Sequence, residues 1–346
     1  ILNIITNIDK KKFEPELVVF DKSGPLISYL PKNIKIINFK KKRLRNCIFL
    51  LIKYFYSNNP KIVFSTFGYI NLFLIFIRIL LPKQIKIVIR EANTLTSTIK
   101  LYKHPLLMKF FFSRLYKRAD KVIALSKAMA EELKKEFNVF SKKISIVYNP
   151  VDLKFIRNKI QKIKKQKNNK INFISSGRLV KQKGFDRLIS ISSKFPKNSH
   201  LTIIGDGPEL NNLKNVVKKK NLESKITFIG FQKNPWQWYA SADAMLITSY
   251  WEGMPNSAIE SLACGCQIIS VNGLPGIRDI KKLSKNNGSV SIESFPDNFL
   301  KKVKKVTKKR RKKTPNKSML PKEFKIENSL KKFERMFFSV LNVSDN

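Results

Sequence analysis

Two short apolar runs, residues 244–248 and 267–271, bracket a segment that can fold in few ways: Ser-Tyr-Trp-Glu-Gly-Met-Pro-Asn-Ser-Ala-Ile-Glu-Ser-Leu-Ala-Cys-Gly, residues 249–265. The runs have strand length, residues 250–255 read as a loop, and residues 256–264 read as a short helix. Asn256 is placed to cap that helix, and Gly265 suits the left-handed residue that ends it. The first turn then offers free N–H groups at the positive end of a dipole, which attract an anion. Glu252 lies just ahead of the helix and Glu260 one turn inside it. Carboxylates beside an anion site make sense when the ligand also carries hydroxyls, and a sugar nucleotide carries both phosphate and hydroxyls. The plainer alternative is an amphipathic helix with two solvated glutamates.

The same alternation of short apolar runs and helical stretches recurs along the chain. Strands are expected at residues 17–20, 34–38, 62–65, 85–90, 121–125 and 144–148, and again at 171–175, 201–204, 226–231, 244–248 and 267–271. Helices are expected at residues 1–8, 44–56, 105–118, 127–137, 185–195, 236–241 and 324–341, with another beginning at Asn71. Ser126 is placed to cap the helix at 127–137. Alternating strands and helices of this kind build parallel sheets covered on both faces. A length of 346 residues favours two such domains. Pro150 and the charged run at 157–170 mark the boundary. The expected division is therefore 1–152, a linker at 153–170, a second domain at 171–322, and a C-terminal segment at 323–346. The first domain opens on a helix, whereas a doubly wound domain opens on a strand and a glycine-rich turn. One strand and one loop are thus expected to precede this numbering.

Ligands bind at the carboxyl ends of the strands in such sheets. The loop after residues 171–175 holds Gly177, Arg178, Lys183 and Gly184. Arg178 can meet a diphosphate with a fork of donors, and Lys183 can meet it as a point charge.

These residues together carry a resemblance. Glu252, Gly253, Met254, Pro255, Asn256 and Glu260, with the Gly-Arg…Lys-Gly framing of residues 177–184 and the Asn-Pro-Val-Asp of residues 149–152, resemble the retaining glycosyltransferases of family 4 (glycosyl transferases group 1). Met254 stands where an aromatic is common. The resemblance implies the GT-B fold: α/β, with two Rossmann-like, doubly wound parallel-sheet domains facing a cleft. It implies transfer of a sugar from a nucleotide-diphosphate sugar, expected to be a UDP-sugar, to a lipid-linked or polysaccharide acceptor. Arg178, Lys183 and Glu252 would be the catalytic residues. Gly177, Gly230, Phe231, Gly253, Met254, Pro255, Asn256, Ser257 and Glu260 would join them around the donor, with Gly230 and Phe231 near the base and Glu260 on the ribose. Glu91 and Asn93, after the strand at 85–90, are acceptor-side candidates. The sequence contains no Asp-x-Asp motif, and in GT-B enzymes protein cations usually replace the metal, so no metal and no cofactor are expected. Retention of configuration follows from the resemblance alone. An epimerase or phosphorylase of the same fold would handle similar sugar phosphates.

Charge raises a separate question. The net charge is +45, which invites a nucleic-acid or an anionic-membrane partner. No helix-turn-helix, zinc or RNA-reading aromatic motif is present, so nucleic-acid binding is the remote alternative. Lys, Ile, Asn and Phe are abundant together, so drift in composition explains part of the charge. Residues 40–56 and 101–118 combine cations with aromatics and can lie in a membrane interface, or can be ordinary helices with a solvated lysine face. Residues 301–313 hold ten basic side chains, read as a solvated run. Residues 62–81 are apolar over a span's length but are interrupted by Gly68, Asn71 and Arg78, which favours a strand followed by a core helix. Three cysteines, Cys47, Cys264 and Cys266, are too few for a disulfide framework and too few for a zinc site. The expected location is cytoplasmic, peripheral on the inner face of the plasma membrane.

Overall fold

A computed structural model describes residues 1–22, 27–160, 170–285, 287–307 and 316–342. The chain divides into two compact units, residues 1–150 with 326–346, and residues 151–325.

In the first unit, β1 (Leu17–Val19) pairs in parallel with β2 (Ile36–Asn38). A second parallel sheet runs in the order β3 (Ile62–Ser65), β4 (Lys86–Arg90), β5 (Lys121–Ala124), β6 (Ile144–Ile146). Apolar residues stand on consecutive positions of β4 and β5 because both faces of the sheet are covered. One cover is the helix Ile326–Leu341. Its Ile326, Leu330, Phe333, Met336, Phe337 and Val340 recur at three- and four-residue spacing and pack with Ile4, Ile8, Val88, Ile123 and Val147. Ser126 Oγ accepts from Met129 N at 3.2 Å and starts the helix Lys127–Phe137. Residues 62–81 form β3, the helix Gly68–Phe76 and a 3-10 turn, Ile77–Leu80. Among the described residues no helix is long and apolar enough to cross a membrane. The helix begins at Gly68 rather than at Asn71, and Asn71 is buried on its inner face. The stretch 40–56 splits into a 3-10 turn, Leu44–Cys47, and the helix Ile48–Asn58.

The second unit holds β7 (Ile171–Ser176), β8 (Ser199–Ile204), β9 (Ile226–Phe228), β10 (Ala244–Ile247), β11 (Gln267–Val271) and β12 (Val290–Glu293). Their order is β12-β11-β10-β7-β8-β9, with every pair parallel. The chain winds outward from β7 to β9, returns to the middle, and winds the other way from β10 to β12. The strand order therefore reverses between β7 and β10, and a crevice opens outside their carboxyl ends.

Two boundaries differ from the sequence expectation. Residues 153–159 are helical, not linker. Asp152 Oδ1 accepts from Phe155 N at 2.9 Å and caps the helix Leu153–Lys159, which buries Ile156 in the second unit. Residues 161–169, the rest of that expected linker, lie outside the described residues, as do residues 308–315 of the basic run at 301–313. The C-terminal segment divides at Ile326 rather than at residue 323. Phe324 is fully buried, and its carbonyl accepts from Val151 N at 2.8 Å, which keeps the Lys322–Phe324 turn with the second unit.

Candidate active site

The loop after β7 and the loop after β10 are locked together by backbone. Gly184 has φ +62°, and a Cβ there would stand 2.0 Å from Thr248 O. Only glycine permits both the conformation and the approach. Thr248 Oγ1 donates to Gly184 O at 2.8 Å. Arg187 Nε donates to Thr248 O at 2.5 Å, another Arg187 nitrogen donates to Ser249 O, and the guanidinium lies 4.3 Å from the Tyr250 ring centroid. Tyr250 N donates to Gln182 O at 2.8 Å, and Gln182 Nε2 donates to Trp251 O at 2.9 Å. These bonds hold residues 249–252 against residues 182–187.

That lock sets Lys183 beside Glu252. Lys183 Nζ makes an ion pair with Glu252 Oε1, and Ser249 Oγ donates to the same oxygen at 2.9 Å. Glu252 is buried. Burying a carboxylate is costly unless it is paired and hydrogen-bonded, and here it is both. Around the pair Ser175, Ser176, Ile247, Thr248 and Ser257 line a small pocket at the crevice between β7 and β10.

The helix after the loop is Asn256–Ala263. Its N-cap is Pro255, in extended conformation, and Asn256 is the first helical residue. Asn256 therefore does not cap the helix, which corrects the sequence expectation. Proline is tolerated there because its φ of −72° is the one its ring fixes and its missing N–H takes no hydrogen bond from the helix. A Cβ on Gly276, at the start of the helix Pro275–Leu283, would stand 2.3 Å from Gly253 O, so Gly253 and Met254 are backed closely by the next helix. Gly265, at φ +76°, ends the helix in the expected left-handed conformation.

Glu260 is half-buried one turn beyond Ser257. Trp236 Nε1 donates to its Oε2 at 3.0 Å. Desolvation raises the Glu260 carboxyl to about 7, and the Trp236 bond pulls the other way. Phe155 meets Trp236 edge-on at 5.4 Å, and Tyr239 of the same short helix donates to Ser176 Oγ at 2.8 Å.

Arg178 stands exposed at the carboxyl end of β7 and does not line the pocket. Gly177 leads into it, and a Cβ on Gly205 would fall 1.9 Å from Gly177 O, so the loops after β7 and β8 touch through backbone. Gly230, at φ +69°, follows β9, and its carbonyl accepts from Gly205 N at 2.9 Å. Phe231 beside it is exposed. Lys183, Glu252 and Ser257 thus converge, Glu260 stands on the adjoining helix, and Arg178 and Phe231 stand at the ends of neighbouring strands. Sequence reasoning missed Ser249, Arg187, Gln182 and Trp236. Ser249 and Gln182 lay inside the two motif stretches and Trp236 at the start of an expected helix, but nothing in their spacing marks a role for them or for Arg187.

The first unit carries the acceptor-side candidates. Glu91 follows β4 and is buried. Tyr116 Oη donates to its Oε1, and Asn71 Nδ2 donates there too, at 2.7 Å. Burial raises its carboxyl to about 7 despite both bonds. Asn93, two residues on, is half-buried.

A doubly wound α/β sheet whose switch point holds a half-buried cation, a buried carboxylate and hydroxyl groups defines the class of the second unit. Comparison with known proteins narrows the class. The profile of Glycosyltransferase Family 4 matches residues 1–155, and that of Glycosyl transferases group 1 matches residues 156–318. The chain belongs to the GT-B glycosyltransferases of group 1. It is 33% identical over 196 residues to the N-acetylgalactosamine-N,N'-diacetylbacillosaminyl-diphospho-undecaprenol 4-alpha-N-acetylgalactosaminyltransferase of Campylobacter jejuni, covering 56% of this chain and 53% of the relative. It is 27% identical over 186 residues to the lipopolysaccharide 1,6-galactosyltransferase of Salmonella typhimurium, covering 53% and 51%. The chain thus spans about half the length of the curated relatives it matches. Among solved structures, Anabaena HepE in complex with UDP and glucose superposes with a TM-score of 0.74 at 15% identity, over 94% of this chain and 91% of that one. That likeness concerns the fold.

Proposed function

We propose that the protein transfers a sugar from a UDP-sugar to a lipid-linked or polysaccharide acceptor of the cell surface, with retention of configuration and without a divalent metal, at the inner face of the plasma membrane. The observation that carries this reading is the Lys183–Glu252 pair beside Ser249 at the switch point of the second sheet. The ammonium is the group that would meet the diphosphate, and it is held at present by the carboxylate that would meet the sugar hydroxyls. Donor binding exchanges Glu252 for phosphate on Lys183 and releases Glu252 to accept hydrogen bonds from the sugar. As the glycosidic bond to phosphate breaks, negative charge grows on the departing diphosphate. Lys183, Arg178 and the N–H groups of the Asn256–Ala263 helix supply positive charge there in place of a metal. Glu260, oriented by Trp236, accepts from the ribose hydroxyls.

The lipid-linked acceptor is favoured by the Campylobacter relative, whose name specifies a diphospho-undecaprenol substrate. Retention rests on the family resemblance. The test is incubation with UDP-sugars and an undecaprenyl-diphosphate glycan in EDTA, with the anomer of the product read by NMR. An axial linkage from an axial donor, formed in EDTA, is expected. Turnover that needs added magnesium would overturn metal independence. Release of a sugar phosphate or of an epimerised donor would move the chain to the phosphorylase or epimerase reading.

A further inference from the structure

The helix Pro105–Leu115 faces the wrong way for a soluble protein. Phe112 is its buried residue. Leu106, Leu107, Phe110 and Phe111 recur on one face, and that face is exposed, with Leu106 at 85%. The neighbouring helix Gly68–Phe76, which packs against it, and the following turn Ile77–Leu80 buries Leu72, Leu74, Ile75 and Ile77, yet leaves Phe76 and Ile79 exposed, Ile79 at 81%. Isolated exposed apolar side chains are ordinary, but several large ones on packed neighbours mark a surface that meets something apolar.

Charge identifies the occupant. Between Asp21 and Asp120 the sequence contains one acidic residue, Glu91, and Glu91 is buried. Lys100, Lys103, Arg114 and Arg118 flank the apolar face and are exposed. Lys109 is held by Glu136 at 2.9 Å. A second copy of this chain would bring the same cations and be repelled. A nucleic acid would satisfy the cations but offers nothing to Leu106 or Ile79, which can neither stack on a base nor hydrogen-bond to it. An anionic bilayer satisfies both, with headgroups against the cations and acyl chains around the apolar side chains.

We infer that the exposed face of Pro105–Leu115, with Phe76 and Ile79, inserts into an anionic lipid bilayer and seats the first unit on it. The helix runs directly into the Tyr116–Arg118 turn, whose Tyr116 hydroxyl donates to Glu91. The docking face and the acceptor-side carboxylate are therefore set by one continuous element. The inference rests on the membrane-acceptor reading above for its biological meaning, but lipid binding itself is measured without donor or acceptor.

The experiment is co-sedimentation of the full chain with vesicles of phosphatidylglycerol and phosphatidylcholine, with Leu106→Asp/Phe110→Asp and Ile79→Asp as variants. Circular dichroism and thermal melting confirm that each variant is folded. The parent is expected to bind, to weaken with salt, and to retain a salt-resistant share, because screening acts on the charges and not on the apolar contacts. The double variant is expected to lose about tenfold or more in affinity, in line with the loss of two inserted side chains. Absence of binding at low salt overturns the inference. So does binding that salt abolishes and Leu106→Asp/Phe110→Asp leaves intact, which would indicate bulk lysine charge, or tighter binding to duplex DNA that the variants do not affect. Vesicle binding by a chain that binds no UDP-sugar would leave this surface standing and remove the glycosyl-transfer reading.

Discussion

Lys183 and Glu252 lie 69 residues apart in sequence and are ion-paired across the carboxyl ends of two adjacent strands, β7 and β10. Glu252 is buried and Lys183 half-buried, and neither charge has an independent reason to leave water there. Each is tolerable because of the other, and together they hold the place that a charged, hydroxylated ligand would take.

Removing one partner tests this dependence. Lys183→Ala leaves Glu252 as an uncompensated buried carboxylate and is expected to cost about 3 kcal/mol of stability, measured by urea denaturation. Lys183→Ala/Glu252→Gln should regain most of that stability yet still bind UDP-sugar at least about tenfold more weakly than the parent, a loss of at least about 1.4 kcal/mol. Equal stability of parent and single variant would show that the pair is not a mutual requirement.

Trp236→Phe removes the donor to Glu260 Oε2 and keeps the aromatic packing on Phe155. With that bond gone the Glu260 carboxyl moves further up, since the Trp236 N–H favours the charged form. A ribose hydroxyl donates best to an ionised carboxylate. UDP affinity in the parent should therefore rise as pH increases through about 7, and in the variant the rise should move to higher pH. Calorimetric titration between pH 6 and about 9 distinguishes this from packing damage, which would lower affinity evenly across the range.

Stability should also depend on pH, with the sign set by two carboxyls that the fold desolvates. Glu91 and Glu260 are both raised to about 7 in the folded chain, against about 4.3 for an unfolded glutamate. Between those values the folded state holds protons that the unfolded state has released, so these two groups make stability fall as pH rises from about 4.3 to 7 and then level off. Glu91→Gln should flatten part of that slope in a thermal-melt series over pH. A slope unchanged in Glu91→Gln would place its origin elsewhere.

Arg187→Lys keeps the charge but loses the fork that reaches Thr248 O and Ser249 O together, as well as the stack on Tyr250. About 2 kcal/mol of stability should be lost, and amide exchange should quicken in residues 249–252 in particular. Uniform quickening over the whole second unit would mean that Arg187 supports the sheet rather than the loop.

Much of the fold is legible in residue pattern because strands covered on both faces need unbroken apolar runs. Ile62–Ser65, Lys127–Phe137 and Trp236–Ser241 fall where the pattern puts them, and Ser126 caps as its position implies. Local chemistry misled where two residues could serve one role. Asn256 is the better cap by type, but Pro255 takes the position, in extended conformation, and Asn256 becomes the first helical residue. The strand expected to run to Phe231 ends at Phe228, since Gly230 turns left-handed to reach Gly205. Of the site, Lys183, Glu252 and Glu260 could be singled out from their motif; that Lys183 and Glu252 face each other could not, because it depends on the Gly184–Thr248 contact between distant loops. For residues 101–118 the pattern left two readings open, a membrane-interface helix and an ordinary helix with a solvated lysine face, and only the fold shows that the apolar face of Pro105–Leu115 points outward. Periodicity shows that a helix has an apolar side, not which side the fold covers.

The central claim is that the crevice between β7 and β10 binds a nucleotide-diphosphate sugar through protein cations. Calorimetric titration of UDP-sugar onto the chain in EDTA tests it most directly, with Lys183→Ala and Glu260→Ala alongside. The account predicts one site per chain in the parent, and affinity lower by about tenfold or more in each variant, without loss of fold. Binding that vanishes in EDTA and returns with magnesium, or binding equally tight in both variants, would contradict it.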